Sequence, residues 1–157
     1  MATADIDPVV ARIANRIGTI ANIGLIHLED PFDRDDLRPY VVSTIAGTPT
    51  LRAWWVSGPT MASKRIVQAN AGPIERAWTY TVYGVEGLVA GNDPQQTLRR
   101  NALAVCDALD LDRDLGGTVQ RADLCQWQLL DNRPGWRGIA VSFVEIRKTV
   151  TTLSAPT

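Results

Sequence analysis

At 157 residues the chain is long enough for one domain with a real core and too short for two ordinary ones, so a single domain over 1–157 is expected. Its 45% hydrophobic and 21% charged content excludes a disordered chain. No run reaches the roughly 18 to 20 apolar residues of a membrane span, and MATADIDPVV lacks the basic and apolar regions of a signal peptide, which points to a cytoplasmic setting.

The first element is an amphipathic helix: Ile6, Val9, Val10, Ile13, Ile17 and Ile20 recur at helical spacing, Asp5 or Asp7 caps it, and Pro8 fits its first turn. It ends near Gly18 to Gly24. Leu25 to Glu29 reads as a short strand, and an acidic loop interrupted by Pro31 and Pro39 follows. Tyr40 to Gly47 carries no clear period. Leu51 to Ser57, LRAWWVS, is aromatic and β-prone, with Gly58-Pro59 as its stop. An extended connection at about 58–73 leads to the long alternating strand Ile74 to Gly87, where Gly84 marks a bulge or bend.

The next helix has the clearest signals. Asp93 caps it, Pro94 takes the first helical position, and Gln96 completes a capping box. Leu98, Ala102, Val105, Cys106 and Leu109 share one face, while Gln95, Arg99, Arg100 and Asp107 lie mostly off it. After an Asp-rich turn and Gly116-Gly117, Thr118 to Leu130 and Arg137 to Thr149 read as two strands joined by a turn at 131–135. With no repeated βαβ unit, the fold class is α+β: a mostly antiparallel sheet of about four or five strands, packed by an N-terminal and a central helix.

Motifs for phosphate, zinc or an acyl nucleophile (GxxxxGK[ST], HExxH, GxSxG) are absent from the sequence. His27, the only histidine, falls in a strand without visible catalytic partners. Asp110, Asp112 and Asp114 match the first three ligands of a calcium loop, but Leu115 and Arg121 stand where that loop needs Gly and Glu. An acidic structural turn is expected instead. Cys106 and Cys125 have no metal-like spacing and read as two reduced, partly buried thiols. No catalytic residue, metal or cofactor is expected.

Surface association is the stronger theme. Sixteen bases against seventeen acids argue against broad capture of nucleic acid, yet charge is locally segregated. Glu29 to Arg38 holds five acids and two bases, and Arg133 to Lys148 four bases and one acid. These segments read as two solvated faces of one monomer or, alternatively, as contacts between copies, with Asp33, Asp35 and Asp36 on one side and Arg137, Arg147 and Lys148 on the other as the candidates. Trp54 and Trp55 point to opposite faces of a regular strand, so one of them lies under a second layer or in an interface. Met61, Lys64 and Arg65 in the long connection complete the candidate interface.

The opening helix IDPVVARIANRI, the strands IGLIHLED, LRAWWVS and AWTYTVYG, the segment LRRNALAVCDALDLDRDLGGTVQ and the last strand VSFVEIRKTV together form a layout. That layout resembles the tail terminator (tail completion) proteins of long-tailed bacteriophages. The resemblance covers most of the chain and implies a non-catalytic virion protein forming a homohexameric ring. Such a ring caps the tail tube, ends its growth and joins the tail to the head connector or stopper protein, with DNA passing through the lumen without specific binding. The alternatives are another head-tail neck protein, such as a head-completion or stopper protein, and, from a different class, a small enzyme.

Overall fold

A computed structural model of the chain describes residues 8–28, 41–65, 73–87, 94–115, 119, 121–136 and 139–154, of which 65, 131–136, 139, 140 and 154 are described by backbone alone. The proposed caps Asp5, Asp7 and Asp93 lie outside the described residues. Helix α1 (Pro8–Gly18) buries Val9, Val10, Ile13, Ala14 and Ile17 along one stripe, as its apolar spacing requires. Strand β1 (Leu25–His27) then runs parallel to β3, setting Leu25, Ile26 and His27 opposite Ala53, Trp54 and Trp55.

The segment without a clear period is half of a tight hairpin. Strand β2 (Val42–Ile45) pairs antiparallel with the start of β3 (Thr48–Arg65), and Ile45 faces Thr48 across a two-residue turn. Ala46 and Gly47 both take positive φ, 50° and 79°, which is the twist a hairpin of this length favours. Glycine adopts that geometry at little steric cost, whereas Ala46 is an unusual occupant, which hides the turn from sequence rules.

Gly58-Pro59 does not stop β3. The strand continues to Arg65, with a register shift between Ser57 and Thr60, and Thr60–Arg65 pairs with the first part of β4 (Ile74–Gly87). The expected connection at 58–73 is therefore largely a β-hairpin arm, and only 66–72 lie outside the described residues. A bulge absorbs the proline here because β1 and β2 pair with β3 no further than Trp55, so its missing N–H falls on an edge stretch. Gly84 is no bulge either: it pairs in regular register with Trp54 and Val144.

Helix α2 (Pro94–Asp110) buries the five residues of its anticipated face, Leu98, Ala102, Val105, Cys106 and Leu109. The C-terminal half holds three strands rather than two: β5 (Arg121–Ala122), β6 (Gln126–Trp136) and β7 (Ile139–Ser154), with both β5 and β6 antiparallel to β7. The turn expected at 131–135 falls inside β6, where Arg133 still pairs with Val141 and Trp136 with Ile139 through two register shifts. Turn-type residues there are accommodated as irregularities in a ladder instead of reversing the chain.

The α+β class holds, with seven strands in place of four or five: β2 and the division of the 118–130 segment add two. The sheet runs β1-β3-β4-β7-β5, with β2 on β3 and β6 on β7, and β1 with β3 is the one parallel pair among the described residues. Both helices cover one face, packing on Trp54, Val56, Tyr80, Val82, Val144, Ile146 and Val150. A second, smaller core of Val41, Leu51, Ala53, Trp55, Val85 and Val141 lies on the other face. Trp54 and Trp55 thus point to opposite sides and each meets a core. At about 25 cal/mol per Å², burying a Trp of roughly 150–250 Å² contributes about 4–6 kcal/mol, so each anchors its layer.

Candidate functional site

The most concentrated chemistry lies where the end of α2 meets β7. Along β7, Val144, Ile146, Lys148 and Val150 alternate onto the helix-covered face, which carries Lys148 into the core with 1% of its surface exposed. A buried ammonium needs a partner, and Lys148 Nζ donates to Asp110 Oδ1 at 2.7 Å. The backbone N–H of Cys125 donates to the same oxygen at 2.9 Å. Burial pushes the Asp110 carboxyl up, but these hydrogen bonds outweigh it and hold the group below the usual carboxylate range.

Two thiols flank this pair. Cys106, one turn before Asp110 on α2, is buried, Cys125 is half-buried, and both are free thiols. They share a hydrogen bond that draws the Cys106 thiol down and pushes the Cys125 thiol up, and burial raises both. The Lys148 ammonium favours the thiolate at either sulfur, while Asp110 opposes it.

The neighbouring carboxylates serve the scaffold. Asp112 accepts from Arg12 Nε at 2.7 Å, with Arg16 Nε at 3.7 Å. Arg16 also donates through Nε and Nη2 to the Ala108 carbonyl at 3.2 and 3.0 Å, satisfying an acceptor that the end of α2 leaves open. Asp110 and Asp112 thereby fasten α2 to β7 and to α1. Among the described residues no group of three or more His, Cys, Asp or Glu is placed to hold a metal ion. Leu115, standing where a calcium loop requires glycine, has φ 47° and a fully buried side chain, so packing holds a backbone that leucine rarely adopts.

The candidate interface residues separate into distinct environments. Asp33, Asp35, Asp36 and Arg137 lie outside the described residues. Trp54 and Trp55 are 0% and 5% exposed; Trp54 Nε1 donates to the Ile23 carbonyl at 3.0 Å and Trp55 stacks on Tyr83 at 5.4 Å, so neither presents a contact surface in this chain. Lys148 is likewise no surface base, because strand alternation turns it inward while its neighbour Arg147 turns outward. Arg147 is exposed and pairs with Glu145 at 2.8 Å, which also accepts from Gln128 at 3.1 Å. Met61 is 49% exposed on the β3–β4 arm; Lys64 pairs with Glu75 at 3.3 Å, and Arg65 faces Ile74 in the register.

The buried Lys148–Asp110 pair and its thiols escape a search for motifs because their spacing is tertiary. The signal that points to them is the phase of β7, in which a lysine takes a valine position. His27 sits in β1, half-buried, opposite Trp55 in the register. An apolar cavity of about 250 Å³ opens between Pro8, Val9, Trp78, Tyr80, Val119, Val150 and Thr152, where the arm leaves the helices. No helix among the described residues is long and apolar enough to cross a membrane. No protein-family model and no curated protein sequence matches the chain.

Proposed function

We propose that the chain is a structural virion protein of the tail-terminator type, assembling as a closed ring, of six copies in its functional state, on the end of a phage tail tube. The observation that carries this is the arm, in which β3 and β4 run on as a paired hairpin beyond the Ser57–Thr60 bulge. Met61, Ala62, Ser63 and Lys64 are exposed along it, and Leu153 of the adjoining β7 is 42% exposed. A hydrogen-bonded projection carrying apolar and charged side chains is suited to reach a neighbouring subunit or the tube without disturbing the core. The helix-covered face and the second core supply the rigid base from which it extends.

Closed rings arise when one patch meets a different patch on the next copy and the rotation closes. The arm is one such patch. Opposite charge supplies a second pairing, between the acidic residues Asp33, Asp35 and Asp36 and the bases Arg137 and Arg147. The opposite end of the ring then receives the head connector or stopper protein, and DNA passes through the lumen without base-specific contact.

Mixing the protein with tail tubes that lack it, followed by electron microscopy, tests the proposal. Ring density at the tube end and competence for head joining are expected, and Met61→Asp should abolish both while leaving the melting temperature unchanged. Binding to the portal side of heads instead of to isolated tails would identify a head-completion or stopper protein. Absence of ring density, with heads joining in its absence, sinks the terminator reading.

A further inference from the structure

Two edges of the sheet are open, at opposite ends of the strand order. Among the described residues β1 and β2 pair with β3 no further than Trp55, so along Thr60–Arg65 only β4 lies beside it, and Thr60 to Lys64 are all exposed. At the other end β6 pairs with β7 alone, and its residues Gln126, Trp127 and Gln128 are exposed. Each edge therefore offers backbone N–H and C=O groups as a template for a further strand. Lys64 does not guard the arm edge, because its ammonium is drawn across the sheet to Glu75 at 3.3 Å.

The side chains at the two edges match face by face. Trp127 stands opposite Ile146 of the main core, which puts its indole, 36% exposed, on the helix-covered side of the sheet. Met61 stands opposite Trp78, itself opposite Val150 of the same core, so its thioether, 49% exposed, lies on that side too. On the other side both edges are polar, with Thr60 and Lys64 on the arm and Gln126 and Gln128 on β6. Strand sense agrees as well. β3, β4, β7 and β6 are antiparallel in succession, so β3 and β6 run in opposite directions. A rotation that carries one copy's sheet on into the next, helix side to helix side, keeps strand sense and brings β3 to β6 antiparallel.

We propose that the arm strand Thr60–Arg65 of one copy adds antiparallel to the outer edge of β6 in the next copy, seating Met61 on Trp127. This rests on the closed-ring reading above and names the contact between its subunits. The lengths fit, since the arm keeps a regular register from Thr60 to Arg65 and β6 from Gln126 to Leu130. With Met61 opposite Trp127, Thr60 falls opposite Gln128 and Ala62 opposite Gln126. The thioether then meets the indole in a sulfur–aromatic contact, and the hydroxyl and amides meet on the other side.

Cross-linking between two different variants of the full chain tests this, both concentrated in solution and assembled on tail tubes. A Met61→Cys copy mixed with a Trp127→Cys copy should give, under mild oxidation, a disulfide-linked dimer whose peptides join positions 61 and 127. Either variant alone should give no 61–61 or 127–127 link. Thr60→Cys mixed with Gln128→Cys, two exposed positions on the other side, repeats the measurement should Trp127→Cys unfold the chain. Ring density on tubes without either mixed link overturns the edge pairing and leaves the ring reading standing. A 61–61 link, the mark of a two-fold contact, overturns it as well. Mixed links in solution without rings on tubes support the pairing while removing its assignment to tail tubes, and the absence of both overturns both.

Discussion

The indole of Trp54 lies so close against Gly84 that a Cβ on that glycine would stand 2.5 Å from Cζ3 and 2.7 Å from Cε3 and Cη2. The two residues are register partners in adjacent strands, and Trp54 is pinned by its bond to the Ile23 carbonyl. Gly84→Ala should therefore cost about 1–3 kcal/mol, the usual penalty for overpacking a core. Gly58→Ala, where an added Cβ meets nothing within 4 Å, should be near neutral. Urea unfolding of the two variants checks this; equal midpoints would show that the indole yields freely.

The face of α2 makes a second prediction. Leu98, Val105 and Leu109 are fully buried against the sheet, and truncation of each to Ala should cost about 2–5 kcal/mol. Arg99 is exposed on the same helix, so Arg99→Ala should stay within about 0.5 kcal/mol. Comparable losses in melting temperature at Arg99 and Val105 would mean that α2 packs through its other side.

The buried ion pair sets an acid limit to stability. Because the Asp110 carboxyl titrates below its unfolded value of about 3.9, its contribution is complete above that pH and is lost as pH falls through the folded value. Asp110→Asn should flatten this part of the acid-unfolding curve. At neutral pH, Asp110→Ala should cost about 3–5 kcal/mol and Lys148→Met clearly less. Removing the carboxylate strands an ammonium with 1% exposure, whereas Asp110 keeps a quarter of its side chain in water. Unfolding titrations at pH 7 and pH 3 measure both effects, and the reverse ranking would contradict this account of the pair.

The acidic turn should be indifferent to calcium. Asp112 is engaged by Arg12 and Arg16, so Asp112→Asn should loosen α1 from the turn by about 1 kcal/mol without removing an activity. Asp112→Asn with Asp114→Asn should leave calorimetric titration with calcium as flat as in the parent. Micromolar binding by the parent, abolished in the double variant, would refute this.

Elements whose period and boundary residues agree were legible from the chain. Helix α2 is the clearest case, since Pro94 and the apolar face from Leu98 to Leu109 point to one structure. The β2–β3 turn was not, because Ala46 holds a left-handed backbone that turn chemistry assigns to Gly or Asn. Gly58-Pro59 and the 131–135 segment carry genuine local turn signals, and long-range ladder pairing overrides both. At the candidate site the hydrophobic phase of β7 is visible, but charge alone groups Lys148 with Arg147 at the surface. Its partner is thirty-eight residues away, and only the packing of α2 on β7 brings them together.

The irregularity at Gly58-Pro59 has a consequence for the arm alone. Between Ser57 and Thr60 the chain advances three residues on β3 while β4 advances two, from Thr81 to Thr79. That extra step resets the in-and-out alternation, so Met61 shares a face with Trp78 and Lys64 shares the other with Glu75. Deleting one residue there would make the two strands advance in step, so Met61 and Lys64 would keep their partners and faces while the local bend and extra twist of the bulge were lost. A change of length by a single codon thus alters the angle at which the projection leaves the sheet, re-aiming its contacts without remaking the interior.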